Sequence, residues 1–234
     1  MFSKLFEYVR YERTFEQKKI SNDTYALQIL SKLLADGSYL PITRSSLRPY
    51  SLASVVNDIV INGREQIIEF GAGVSTVAIA RLFKLNQIQG HLYTVDESKE
   101  WLEIISNIIK KEGLDKFITP IHAELVESAM ALKGYTWYNI EKLDKAIGSD
   151  TKFDLVLVDG PSAYETNIQF SRYPALPFMR SRLGDRFSFY LDDSNRKGEK
   201  WILKKWSKEF GIKFIKLNSS LAYAVSGDWF RTYM

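Results

Sequence analysis

The stretch Ile67-Ile68-Glu69-Phe70-Gly71-Ala72-Gly73-Val74-Ser75-Thr76, continuing into Val77-Ala78-Ile79-Ala80-Arg81-Leu82, decides the fold of this chain. An apolar run that ends in Glu-x-Gly-x-Gly and opens into a helical pattern reads as strand, glycine turn, helix. The glycines let the backbone turn tightly and approach a ligand with no Cβ in the way, while the free amides of the following helix face a cofactor. A dinucleotide fingerprint would have a third glycine where Thr76 stands, so that class loses ground. Glu69 puts a carboxylate at the strand's end, where a pyrophosphate would be repelled and a ligand ammonium attracted. S-adenosylmethionine carries such an ammonium. A glycine turn between core elements, with no ligand, is the competing reading of the segment taken alone.

On these residues the chain resembles the class I S-adenosylmethionine-dependent methyltransferases, whose first motif is an acidic residue followed by Gly-x-Gly, here continued by Ser75-Thr76. The resemblance implies S-adenosylmethionine as cofactor, bound by Glu69, Gly71, Ala72, Gly73, Ser75 and Thr76.

The rest of the chain supplies the matching rhythm. Strand patterns at Gln66 to Phe70, His91 to Val95, Phe117 to Ile121, Phe153 to Val158 and Phe187 to Leu191 alternate with helical stretches. Those stretches are Thr76 to Leu85, Lys99 to Lys111, Tyr138 to Ile147, Thr166 to Leu183 and Lys197 to Phe210. Such alternation predicts a doubly wound α/β fold with a mostly parallel sheet. Ile212 to Leu217 and Leu221 to Val225 are too close for a helical crossover and must form an antiparallel hairpin. Five alternating units closed by a hairpin resemble the seven-stranded methyltransferase sheet over about Ser51 to Gly227. Residues 1–50 read as an N-terminal helical cap, with Ser21-Asn22-Asp23 capping a second helix that ends at Gly37, then a proline- and serine-containing loop to Pro49. Residues 51–234 form the Rossmann-like domain, starting with a helix from Ser51 to about Ile61.

In a doubly wound sheet, ligands bind at the carboxyl ends of the strands, so the polar residues after each apolar run matter most. Asp96-Glu97 follow the second strand, where a carboxylate can accept hydrogen bonds from ribose hydroxyls. In the family's pattern an acid does this, and Asp96 matches. His122-Ala123 follow the third, where the family has an acid and a small residue against the adenine; Ala123 fits and His122 departs. Asp159-Gly160-Pro161-Ser162 follow the fourth, placing Asp159 between cofactor and substrate, able to orient a nucleophile or take its proton. Gly160 and Ser162 break the Pro-Pro-aromatic pattern of enzymes that methylate amino groups of bases, which disfavours nucleic acid as substrate.

Asp192-Asp193 follow the fifth strand; side-chain alternation lets only one of them join Asp159, and Asp193 is preferred, with Asp159 and Asp193 as the catalytic pair. With Asn195 these acids resemble the Mg2+ site of small-molecule O-methyltransferases, although Asn195 does not directly follow an aspartate. A shared proton between the two acids is the alternative to the metal. Arg172 either clamps an anionic substrate or pairs with a surface acid, the second being preferred, and the aromatics of Tyr135-Thr136-Trp137-Tyr138 read as core packing. Gly160-Pro161, Arg172 to Pro177 and Leu191-Asp192-Asp193 resemble a bacterial branch associated with surface-glycan or natural-product pathways.

Composition narrows the chemistry. The 234 residues can bury a full core, and 32 basic against 28 acidic residues, interspersed, give a modest net charge of +4, only a weak argument for an anionic partner. The absence of cysteine excludes thiolate nucleophiles, iron-sulfur clusters and cytosine-C5 methylation, and two histidines exclude histidine-rich metal sites. No apolar run reaches membrane-spanning length and the start lacks a secretory pattern, so the cytoplasm is the expected location. The expected reaction is methyl transfer to an oxygen, less readily a nitrogen, of a small molecule or glycan. An aminopropyltransferase and a non-catalytic interaction module on the same scaffold remain alternatives. The N-terminal helices either cover the pocket or pair two subunits as a homodimer.

Overall fold

A strand covered by helices on both faces needs apolar side chains at nearly every position; β6 (Phe153–Val158) meets that demand save at Asp154, and β1 (Gln66–Phe70) meets it at Ile67, Ile68 and Phe70 while burying Glu69 as well. In the computed structural model, which describes residues 17–232, these two strands pair in parallel at the centre of the sheet, Ile67 opposite Leu155 and Phe70 opposite Val158. Outward from β1 lie β2 (His91–Asp96) and β3 (Ile118–His122), and outward from β6 lies β7 (Leu183–Leu191), all parallel. A hairpin of β8 (Ile215–Lys216) and β9 (Ala222–Ser226) closes the sheet, with β9 antiparallel to β7. The order β3-β2-β1-β6-β7-β9-β8 is that of a doubly wound seven-stranded sheet, as expected from the alternation. Its direction of winding reverses between β1 and β6, which makes the ends of those strands the natural ligand crevice.

Helices fill both faces. On one side α3 (Pro49–Asn62), α4 (Val74–Asn86) and α5 (Lys99–Lys111) pack with the sheet. On the other lie α6 (Ile140–Ile147), the short α7 (Ala175–Met179) and α8 (Lys197–Phe210). No described helix is long and apolar enough to cross a membrane.

Several local expectations change. The stretch Thr166 to Leu183 is not one helix: turns carry it to α7, and β7 starts at Leu183, because Pro174 and Pro177 lack the amides a continuous helix needs. Tyr138 does not start a helix but ends β5 (Thr136–Tyr138), which pairs with β4 (Leu125–Glu127) in a small separate hairpin. Trp137 and Tyr138 are fully buried, as core packing requires.

The N-terminal segment departs further. Helix runs unbroken through residues 17–29 (α1), so Ser21-Asn22-Asp23 caps nothing there, and a short α2 (Ser31–Leu34) follows. Asp23 instead reaches across to α3, accepting a hydrogen bond from the Tyr50 amide at 3.2 Å and pairing with Arg48. It thus caps a helix 25 residues downstream, one whose own N-cap side chain makes no such bond. Ala26, Leu30, Leu33, Leu40 and Leu47 enter the same apolar core as α3 and α4. The part of the chain expected to lie before residue 17 falls outside the described residues. Asp23→Ala removes both cap and ion pair, and a loss of about 1 kcal/mol is expected, read as a lower midpoint of denaturation with the helical spectrum kept.

Candidate active site

The loop after β1 is built by contact with the loop after β6. Gly71 has a φ of 101°, and a Cβ there would lie 2.9 Å from the Gly160 amide nitrogen and 3.0 Å from the Asp159 carbonyl carbon. A Cβ on Gly160 would in turn lie 2.5 Å from the Tyr138 hydroxyl. Gly71 is therefore required by protein packing. Gly73 is different: its φ of 177° suits any residue, and a Cβ there would meet no protein atom within 4 Å. The open space in front of it is room for a ligand.

Three hydroxyls organise the underside of this loop. Glu69 is fully buried, and Ser75, Thr76 and Thr94 all donate to its carboxylate. The expectation that Glu69 meets a ligand at the strand's end is thus corrected, since the side chain points beneath the turn and its oxygens are occupied by those donors. Burial raises its carboxyl to about 7, against the hydroxyl donors, which lower it.

Asp96 clamps the same loop from β2. It accepts the Ala72 amide and the Ser98 amide, each at 2.9 Å, and burial raises it to about 6. The Ala72 carbonyl accepts the indole N–H of Trp101 at 2.7 Å, so both polar groups of Ala72 are fixed. Glu97 accepts the Tyr138 hydroxyl at 3.2 Å, and its carbonyl lies 3.2 Å from His122 Nε2. Ala123 is fully buried and donates its amide to the Asp96 carbonyl. His122 and Ala123 therefore adjoin Asp96 but do not line the cavity beside the glycines.

That cavity, of about 240 Å³, is lined by Gly71 to Ser75, Trp101, Asp159 and the roof residues Thr43, Ser45, Ser46 and Leu47. A second cavity of about 270 Å³ lies on the other side of Asp159, walled by Asp192, Asp193, Arg172, Asn195 and Tyr164 among others. Ser45, Ser46 and Asp159 belong to both.

The second cavity holds a dense charge cluster. One oxygen from each of Asp159, Asp192 and Asp193 lies within 4.8 Å of the others. Both neighbouring aspartates therefore face Asp159, contrary to expectation, because Asp193 adopts a left-handed φ of 56° that breaks the alternation of an extended strand. Arg172 is not at the surface either. It is 3% exposed, donates to the carbonyls of Asp159, Pro161 and Asp192, and contacts Asp193 Oδ2 at 3.1 Å and Asp159 Oδ1 at 3.5 Å. Glu199, buried on α8, lies 3.9 Å from the same guanidinium. Four acids thus face two cations, Arg172 and Arg196, the latter paired with Asp193 at 2.9 Å.

Burial first, then the charge of neighbouring aspartates, raises Asp159 well above the ordinary range and Asp192 to about 7, with Arg172 opposing. Burial likewise raises Glu199 to about 7. Among the described residues, the Oδ1 of Asp192 and both carboxylate oxygens of Glu199 have no hydrogen-bond partner. Four acids against the two arginines paired with them favour uptake of protons or of a cation, with Lys19, Arg44 and Arg48 farther along the same cavity wall.

Sequence reading missed Trp101, Thr94, Glu199 and the roof at Ser45 and Ser46. Trp101 carried one signal, an aromatic in the first turn of the helix that follows Asp96. The others depend on contacts between distant segments.

Residues 68–182 match a family model described as a methyltransferase domain. Solved structures share the fold over most of the chain. A candidate O-methyltransferase from Klebsiella pneumoniae is 12% identical over 88% of this chain and 96% of that one, with a TM-score of 0.61. The Podospora anserina methyltransferase PaMTH1, solved bound to SAH, is 13% identical over 93% and 97%, at 0.59. An O-methyltransferase from Bacillus cereus in complex with SAH is 14% identical over 88% and 91%, at 0.55. At such identities the likeness speaks for the fold alone. Among curated proteins none matches this sequence significantly.

The site yields three expected outcomes. Gly71→Ala should destabilise the fold by about 1–3 kcal/mol through strain and overlap, whereas Gly73→Ala should keep the midpoint of denaturation and lose affinity for a ligand of the loop, measured by calorimetry. Folded Glu69 holds its proton from the ordinary value of 4.5 up to about 7, where the unfolded chain has lost it. Its contribution to stability therefore falls as pH rises through that window and is constant above it. Glu69→Gln should flatten the pH dependence of denaturation between about pH 5 and about pH 8; an unaltered slope would contradict the assignment.

Proposed function

From the match of residues 68–182 to the methyltransferase-domain family model we propose that the chain transfers the methyl group of S-adenosylmethionine to an oxygen, less readily a nitrogen, of a small molecule or glycan. One observation carries the reading: Asp159 stands in the walls of both cavities, so a donor beside the glycines and an acceptor beside the acids would meet across it. The family match favours methyl transfer over aminopropyl transfer or a purely structural role.

S-adenosylmethionine supplies a methyl group on a positively charged sulfur, which departs as a neutral thioether. Gly71, Ala72, Gly73 and Ser75 would hold it, with Gly73 leaving room and Thr76 and Glu69 fixing the loop from below. Asp96 and Glu97 lie on the side assigned to the ribose, and His122 and Ala123 on the side assigned to the adenine. Trp101 adds an aromatic wall. Residues 17–50 act as a cap, since Lys19, Arg44, Ser45, Ser46 and Arg48 line the second cavity and Thr43, Ser45, Ser46 and Leu47 line the first; this role is preferred to pairing of subunits.

Asp159 and Asp193 orient the acceptor hydroxyl, and one of them takes its proton as the new carbon–oxygen bond forms. The shortage of cations keeps a proton within the acid cluster near neutrality, so one acid serves as acceptor while a neighbour stays neutral. Arg172, held by three carbonyls, fixes the acids in place. Positioning of donor and acceptor contributes the larger share of the acceleration and proton removal about 10²–10⁴-fold.

The cluster also suits a hard divalent cation. Three carboxylate oxygens within 4.8 Å, one buried aspartate oxygen without a partner, and the surplus of acids fit an oxygen-seeking ion such as Mg2+. Asp159, Asp192 and Asp193 would hold it, and it would polarise an acceptor oxygen.

Calorimetric titration with S-adenosylmethionine, its decarboxylated analogue and NAD tests the proposal. Binding of S-adenosylmethionine in preference to the other two is expected, and its failure to bind would overturn the reading. Asp159→Asn and Asp193→Asn should lower turnover about 10²-fold or more with cofactor affinity retained. Turnover that survives exhaustive chelation assigns the cluster to proton sharing; turnover lost and restored by Mg2+ assigns it to the ion.

A further inference from the structure

The acid-lined cavity does not end at the acids. It opens, through Lys19, Arg48, Asn195 and Ser219, into a groove of about 790 Å³ between α1 and the turn joining β8 to β9. That volume lies within the range of small-molecule sites. The groove continues the basic side of that cavity, where Lys19, Arg44 and Arg48 face the three aspartates. Among the described residues, Lys18 and Lys19 from α1, Arg48 before α3 and Lys216 on β8 face it, against one acid, Asp23. Asp23 is committed to Arg48 and to the Tyr50 amide. Lys18 and Lys216 are exposed and make no ion pair among the described residues.

The walls are fixed. Asn218 accepts the amides of Ser220 and Leu221, each at 2.8 Å, and donates to Ser51 Oγ at 3.0 Å, which ties the hairpin turn to α3.

We propose that the methyl acceptor is an extended, anionic molecule that places its hydroxyl beside Asp159 and its carboxylate or phosphate in this basic groove. This deepens the methyl-transfer reading and rests on it. A cleft with proton-accepting acids at one end and, at the other, Lys18 and Lys216 without an ion pair among the described residues selects a ligand with a hydroxyl and a negative charge set apart from each other. The long-range attraction of the lysines for such a ligand weakens as salt rises. A carboxylate-bearing oligosaccharide and a sugar phosphate share that chemistry.

The test uses the full chain saturated with S-adenosylhomocysteine and titrated with trigalacturonic acid, glucose 1-phosphate and neutral maltotriose. At least one of the two anions should bind about tenfold or more tightly than maltotriose, with affinity falling as salt is added, and the tighter of the two identifies the carboxylate or the phosphate source. The double variant Lys18→Glu, Lys216→Glu should weaken that anion about tenfold or more and leave the affinity for S-adenosylhomocysteine and the midpoint of denaturation as in the parent. Maltotriose binding as tightly as the anions, no binding by any of the three, or an anion affinity indifferent to the double variant would overturn the proposal. Failure of S-adenosylhomocysteine itself to bind would count against the methyl-transfer reading, and the anion preference measured without it would then stand or fall separately.

Discussion

Two backbone loops can lie against each other only where neither carries a side chain, and Gly71 and Gly160 meet in that way at the centre of the sheet. The contact brings the ends of β1 and β6 together at the point where the winding of the sheet reverses. Everything proposed for the site follows from it. It sets Gly73 facing open space, puts Asp159 on the boundary between two cavities, and leaves the Tyr138 hydroxyl as the floor beneath Gly160. The loop is then held from three sides by the hydroxyl-bound Glu69, by Asp96 and by the Trp101 indole.

Electrostatics supplies the second constraint. A guanidinium buried among carbonyls cannot swing out to solvent, and four acids gather where two cations serve them. Such a surplus of buried carboxylates costs stability unless protons, a metal ion or a substrate hydroxyl satisfy it. The same residues that make the region unfavourable as packing make it suitable for managing a proton. Sites of chemistry are where local stability rules are expected to be broken.

The parts of the fold legible in the sequence are those set by nearby residues. The bounds of β1, α5, β6 and α8 follow from apolar period and local capping, and Ser98 caps α5 as a local N-cap should. Alternation of strands and helices gave the parallel sheet, and the short spacing of the last two strands gave the hairpin. What escaped depends on partners far along the chain. Asp23 caps a helix it does not precede, Arg172 finds its acids through the ends of β6 and β7, and Glu199 enters the cluster from α8. The pairing of Asp192 with Asp193 in one cavity turned on a single left-handed residue that the sequence did not mark. The glycine loop was recognisable as a ligand loop, but which glycine serves the fold and which leaves room for a ligand is decided only by what surrounds each.

The central claim is that the loop opposite Asp159 receives S-adenosylmethionine with its methyl group directed across that aspartate. A crystal structure of the protein soaked with S-adenosylmethionine tests it most directly. The account predicts density packed against the Gly73 backbone and the Trp101 ring, with the sulfonium beside Asp159 and the methyl pointing into the acid-lined cavity. Density for the nucleoside elsewhere, or bound there with its methyl turned away from that cavity, would contradict it.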